Sequence, residues 1–311
     1  MDRTERSSLY LELALLCASL AGLAVLGWNQ DPQRYLVFHT LAELFGITVA
    51  AGAFMVVWNA RRFSENGYLL FLGITGLFVA GLDLLHLLSY KGMSLLPFRT
   101  ADVPTQLWVA ARYMQAGALV LAPAFVARRL PAWAAATASI VVASLLALSV
   151  TVFHWFPSAF VEGKGLTAFK DESELVVIAL MLVGLALLLR KRETFAPSVL
   201  ALVAGSILVF AFAEVAFTMY ASVYGRANLV GHLLRVVGMY GIYRAIIATS
   251  LSRPYDVLFR DSRRAATGCD RRRTCPMPST ASRARCARRS TPTRCSRPSG
   301  RARSRRSAST A

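Results

Sequence analysis

The chain has 311 residues, a formal net charge of +18, 55% hydrophobic residues and a mean hydropathy of +0.47. So apolar a composition lies outside the range of soluble domains and excludes an ordinary globular enzyme or a water-soluble nucleic-acid-binding module. The charge is concentrated at one end, since residues 252–311 carry 17 Arg against three Asp and so supply +14 of the +18.

The first predicted element is an apolar helix over 9–28, preceded by Arg3 and Arg6. It resembles a secretory signal, but about 20 residues suffice to span hydrocarbon. The stretch from Asn29 to Arg34 also offers no small-residue cleavage site, so the helix is read as retained. Further apolar runs follow at 36–59, 68–90, 105–127, 132–156, 174–190, 197–222 and 227–250, the sixth being short enough to begin before Glu174. Hydrocarbon offers nothing to hydrogen-bond a bare amide, and no period-two alternation points to a barrel, so these runs are helices. The expected fold class is all-α, a polytopic membrane bundle of about eight transmembrane helices. Gly73, Gly76, Gly81, Gly238 and Gly241 are expected where helices approach closely.

Short connections set the orientation. If the chain alternates, Arg3, Arg6, Arg61, Arg62, Arg128, Arg129, Arg190, Lys191, Arg192 and the segment after Ser252 share one side. The other side holds Arg34, Lys91, Arg99, Lys164, Lys170 and Arg226, diluted by Asp31, Asp102, Glu162, Asp171 and Glu172. The positive-inside rule then places both termini in the cytoplasm. Trp28, Trp58, Tyr68, Tyr90, Trp133, Trp155 and Tyr224 fall near the interfaces as anchors.

An ionisable side chain inside the bilayer costs about 2.5–3.5 kcal/mol on insertion scales and calls for a reason. Those within the runs are His39, Glu43, Asp83, His86, Arg112, Glu214, His232, Arg235 and Arg244. Counted from the outer ends, the three histidines lie about one turn in, and Glu43, Asp83, Arg112, Glu214 and Arg235 about two. His39 with Glu43, Asp83 with His86, and His232 with Arg235 are three or four residues apart and share helix faces.

Three readings of this layer stand together. One is a structural network in which Glu43, Asp83 and Glu214 neutralise Arg112 and Arg235. Another is a metal or haem site built on His39, His86 and His232. The third is a pocket for a small ligand, quinone, ion or proton with the acids and histidines as titrating groups. No nucleophile–base pair, phosphate loop or zinc-type cysteine spacing points to an enzyme, and the membrane lipid is the one partner composition demands. Cys17 stands alone in the first helix with four more cysteines in the tail, so no disulfide framework is implied.

The run GLDLLHLLSYKGM, Gly81 to Met93, followed by TQLWVAARYMQA, Thr105 to Ala116, resembles the third type of bacterial membrane-associated sensor domain, the MASE group. LSRPYDVLFRD, Leu251 to Asp261, resembles the junction at which such domains pass to cytoplasmic signalling modules. The resemblance implies a sensory input domain, normally fused to PAS, histidine kinase or cyclic-di-GMP modules. Asp83, His86, Tyr90, Lys91, Gly92 and Met93 match its first motif, and Gln106, Trp108, Arg112 and Tyr113 its second. With these, the expected sensing residues are His39, Glu43, Asp83, His86, Tyr90, Gln106, Trp108, Arg112, Glu214, His232 and Arg235. The expected domains are a sensor over 1–252, a junction over 253–262 and a disordered Arg/Ser/Pro-rich tail over 263–311. A homodimer through the eighth helix and the junction is expected, and no specific nucleic acid.

From Arg260 onward no Leu, Ile, Val, Phe, Tyr or Trp occurs, and neither heptads nor kinase motifs follow. This composition matches an out-of-frame reading of a GC-rich gene; the alternative is a basic tail for anionic lipid or nucleic acid. A small transporter or channel is the competing function, since intramembrane acids and histidines also mark ion pathways. The absence of similarity between the two halves weighs against it. A membrane enzyme with a metal centre is a third class and would need the histidines open to substrate.

Overall fold

A computed structural model describes residues 3–62, 67–93, 95–98, 100–219 and 223–250. The chain divides into a unit over Met1–Asp256 and a second over Val257–Ala311. The expected junction and tail lie outside the described residues.

Eight long helices follow one another: α1 Arg3–Trp28, α2 Pro32–Ala60, α3 Gly67–Ser89, α4 Asp102–Leu121, α5 Ala132–Thr151, α6 Ala168–Leu189, α7 Pro197–Thr218 and α8 Arg226–Ser250. Their limits have local causes. Asp31 caps α2 by accepting the Arg34 N–H at 2.9 Å, with Pro32 in the first turn where its missing donor costs nothing. Thr167 caps α6 in the same way through the Lys170 N–H, and Pro197 opens α7. The sixth helix thus begins a turn and a half earlier than its apolar run, because a polar first turn is helical as well.

Two spans end sooner than hydropathy indicates. Pro123 lacks the N–H an α-helix needs, so α4 stops at Leu121 and tightens into a 3-10 turn over Ala122–Phe125. Beyond Thr151 the chain leaves the helix and forms a short antiparallel hairpin, β1 Phe160–Val161 with β2 Gly165–Leu166. Apolarity alone could not reveal that loop, because Phe153, Trp155 and Phe156 are as hydrophobic as the helix before them.

Among the described residues, six helices are long and apolar enough to cross a membrane. The other two, α4 and α8, are as long but carry Gln106, Arg112 and Gln115, and Asn228, His232, Arg235 and Arg244. The surface is inverted relative to a water-soluble protein. Leu145 and Phe212 are 61% and 65% exposed on the outside of the bundle, while Lys170 and Glu214 are fully buried. That is the arrangement expected where lipid is the solvent.

Helix α8 packs against α7, α2 and α1, and α3 against α2, α4 and α5. Close approach is real at Gly73, Gly238 and Gly241, where an added Cβ would lie 2.4 Å from Val57, 2.4 Å from Phe210 and 2.2 Å from Ser206. The same expectation fails at Gly76 and Gly81, which have nothing within 4 Å of that position. Gly76 instead lines an apolar cavity of about 100 Å³ between α2, α3, α4, α7 and α8, with Asp83, Gln115 and Arg235 at one end.

Candidate functional site

The polar residues collect at the end of the bundle where α3 finishes and α4 begins. There α2 contributes His39 and Glu43, α3 Asp83 and His86, and α4 Gln106, Trp108 and Arg112. From later in the chain come Lys170 and Glu174 of α6, Glu214 of α7, and Asn228, His232 and Arg235 of α8. All are buried.

At the centre, four side chains converge. Nε2 of His39 lies 3.3 Å from Nε2 of His86, and Nε2 of His232 lies 3.2 Å from Oε1 of Glu43. One ligand-type atom from each of the four falls within 4.8 Å of every other. The rings are held from behind: His86 Nδ1 lies 2.7 Å from the Pro104 carbonyl and His232 Nδ1 lies 2.8 Å from that of Asn228. A carbonyl only accepts, so each Nδ1 carries a hydrogen and each ring turns its Nε2 edge toward the cluster. Tyr90 stacks on His39 with ring centres 3.8 Å apart and donates its hydroxyl to the Val223 carbonyl at 2.6 Å.

Beside this cluster, Asp83 joins three helices. One carboxylate oxygen accepts from Arg112 and the other from Arg235 at 3.1 Å. Both guanidinium groups also lie over Trp108, 4.6 Å and 4.5 Å from its ring, and Arg112 donates to Gln115. Trp108 in turn touches His86, His232 and Phe217. The indole therefore forms the wall shared by the histidine cluster and the arginine pair.

A third group closes the far side. Lys170 lies 2.9 Å from Glu174 one helical turn on and donates to the Phe217 carbonyl at 2.5 Å. Glu214 faces Glu174, within the field of Arg112 and Lys170.

The family model for MASE3, a membrane-associated sensor domain, matches residues 30–254, which contain all of these residues. The chain belongs to this family. No curated protein and no solved structure matches it.

In the MASE3 domain the expected residues come together, but not with the expected pairing. Asp83 pairs directly with both arginines, while Glu43 sits among the imidazoles and Glu214 beside Glu174, acting on Arg112 through their fields. Gln106 acts outside the cluster, donating to the Phe156 and Pro157 carbonyls and so holding the α5–α6 connection over the bundle end. Arg244 is at the opposite end of α8 and pairs with Glu12 of α1 at 2.5 Å, to which Tyr240 also donates at 3.1 Å.

Lys170, Asn228 and Glu12 escaped the sequence reading. Lys170, placed there in an outer loop, is fully buried; its i, i+4 spacing to Glu174 was the available signal. Asn228 looked like a helix-end polar residue, and Glu12 was hidden in an otherwise apolar run. Haem, expected as an alternative to a metal ion, does not fit. Tyr90, Trp108 and Phe217 pack against the imidazoles, and the void beside them is about 20 Å³, room for about one water.

A cap of loops covers this end. Lys91 Nζ donates to Glu162 at 2.8 Å, which also accepts from the Ala101 N–H at 3.1 Å. Asp102 accepts from the N–H groups of Ala159 and Phe160 at 2.7 Å and 2.9 Å. The Lys91 hydrogen bond, helped by the Ala101 N–H, holds the Glu162 carboxyl below its usual carboxylate range.

Proposed function

We propose that this MASE3 domain is the transmembrane input half of a bacterial signal-transduction receptor of the histidine kinase or cyclic-di-GMP type, set in the inner membrane with both termini cytoplasmic. The observation that carries the reading is the position of His232 and Arg235 on α8. The last helix before the C-terminal segment is bonded directly to the buried cluster, through Glu43 and Asp83. A stimulus that prefers one arrangement of the cluster over another would therefore bias the packing of α8, and only such a preference can shift an equilibrium.

In this reading the chain supplies sensing and not catalysis. The residues that read the stimulus are His39, Glu43, Asp83, His86 and His232, with Tyr90, Trp108, Arg112 and Arg235 positioning them. Homodimerisation through α8 and the segment after it belongs to the same proposal, with Val230 and Tyr243 the larger side chains that α8 turns outward.

The test is a fusion of residues 1–256 to a cyclic-di-GMP synthase module, with the product measured in cells. Glu43→Gln and Asp83→Asn are expected to lock the output high or low while the fusion still reaches the membrane. Output that is indifferent to both changes, in a fusion that is active and inserted, sinks the sensory reading in favour of transport.

A further inference from the structure

We infer that His39, Glu43, His86 and His232 form a binding site for one divalent first-row transition ion of the zinc type. The inference deepens the sensory reading and rests on it for its biological meaning, but its chemistry stands on this chain alone.

The donor set is assembled from three helices and is already close to a coordination sphere. Zinc bound tetrahedrally at about 2.0–2.1 Å requires ligand atoms about 3.3 Å apart. Two opposite edges of that figure are present, His39 to His86 at 3.3 Å and His232 to Glu43 at 3.2 Å. No separation in the set exceeds 4.8 Å, so small side-chain rotations complete it.

Hydrogen bonding argues the same way. The Nδ1–H groups of His86 and His232 are committed to the Pro104 and Asn228 carbonyls, the usual means by which a ligating imidazole is oriented. The Nε2 of His86 meets that of His39 at 3.3 Å, so ring nitrogens from α2, α3 and α8 converge beside one carboxylate. His232 Nε2 is buried and meets the Glu43 carboxylate at 3.2 Å. Ring nitrogens and a carboxylate brought this close are unfavourable unless a proton or a metal cation lies between them.

Charge balance supplies a third argument. Among the described residues, the buried layer sets four acids, Glu43, Asp83, Glu174 and Glu214, against three bases, Arg112, Lys170 and Arg235, and the direct contact of Glu43 is an imidazole. Nitrogen-rich donors with one carboxylate select a borderline transition ion over Mg²⁺ or Ca²⁺, which prefer oxygen.

The full 311-residue chain, carrying an affinity tag free of histidine, is purified in detergent, equilibrated with Zn²⁺ and analysed for metal by mass spectrometry. About one zinc per chain is expected. Co²⁺ in its place should give the intense visible absorption of a tetrahedral site. Glu43→Gln and His86→Gln should lower zinc affinity by more than the roughly 100-fold lost with a hydrogen-bond partner of a ligand. Arg244→Gln, at the other end of α8, should leave it unchanged.

A parent protein that takes up no zinc and shows no tetrahedral cobalt band overturns the proposal, whether or not the variants fold. So does a helical, monodisperse triple variant of His39, His86 and His232 to Gln that keeps its full equivalent. Neither result bears on signalling by the fusion, so the metal site and the sensory role can fail separately.

Discussion

Asp83 of α3 and Arg235 of α8 are joined at 3.1 Å inside the bundle, and the second oxygen of the same carboxylate binds Arg112 of α4. One acid therefore holds three helices, and the last of them leads toward the C-terminal segment. Replacing Asp83 by Ala leaves two buried guanidinium groups without a carboxylate. A loss of about 3–5 kcal/mol is expected. Asp83→Asn, which keeps one accepting oxygen, should lose less. Thermal unfolding in detergent, followed by circular dichroism, ranks the two, and equal stability of Asp83→Ala and the parent would show that the arginines find other partners.

Lys170 and Glu174 make a test of a different kind, because the pair is local to α6 and fully buried. Lys170→Met should destabilise by about 3–5 kcal/mol, since Glu174 is left facing Glu214 without its cation. Adding Glu174→Leu should restore most of that loss, as removing both members of a buried pair is commonly close to neutral. A double-mutant cycle measures the coupling, and additive effects would contradict the contact.

Glycine substitutions distinguish contact from open space. A Cβ on Gly184 would come within 2.9 Å of the Leu119 backbone, which cannot move aside without parting α4 from α6. Gly184→Ala is expected to cost about 1–3 kcal/mol. Gly76 has nothing within 4 Å of that position, so Gly76→Ala should stabilise by up to about 1 kcal/mol through helix propensity. Unfolding midpoints for the two single variants decide the matter.

The loop cap carries its own pH dependence. Glu162 is held below its ordinary value of 4.5 by Lys91 and the Ala101 N–H. A carboxyl whose folded value is depressed contributes its full stabilisation above the unfolded value and loses it as pH falls through the folded one. Protection factors over 153–167, with the intrinsic pH dependence of exchange divided out, should therefore be flat above pH 4.5 and fall below it. Glu162→Gln should exchange faster near neutral pH and lose the acid-side step. Because the pair is exposed and screened, the effect is local and leaves the bundle folded.

Residues far apart in sequence needed the fold to acquire partners. Hydropathy was enough to place eight helices, because the helical state of an apolar segment in lipid follows from its own composition. The cost of burying charge was likewise enough to single out His39, Glu43, Asp83, His86, Arg112, Glu214, His232 and Arg235, which do converge at one end.

Which acid meets which base was decided only by tertiary packing. The spacing rules that put His39 and Glu43 on one face hold within a helix, whereas the turn of α3 against α8 determines that Asp83 takes both arginines and Glu43 none. Lys170 shows the limit from the other side. Its neighbours Asp171 and Glu172 made it look like a loop lysine, whereas the fold brings the Phe217 carbonyl of α7, 47 residues away, to its ammonium group. A single sequence records the energetic penalty of each buried charge; the side chain that offsets it is chosen by how the helices lie together.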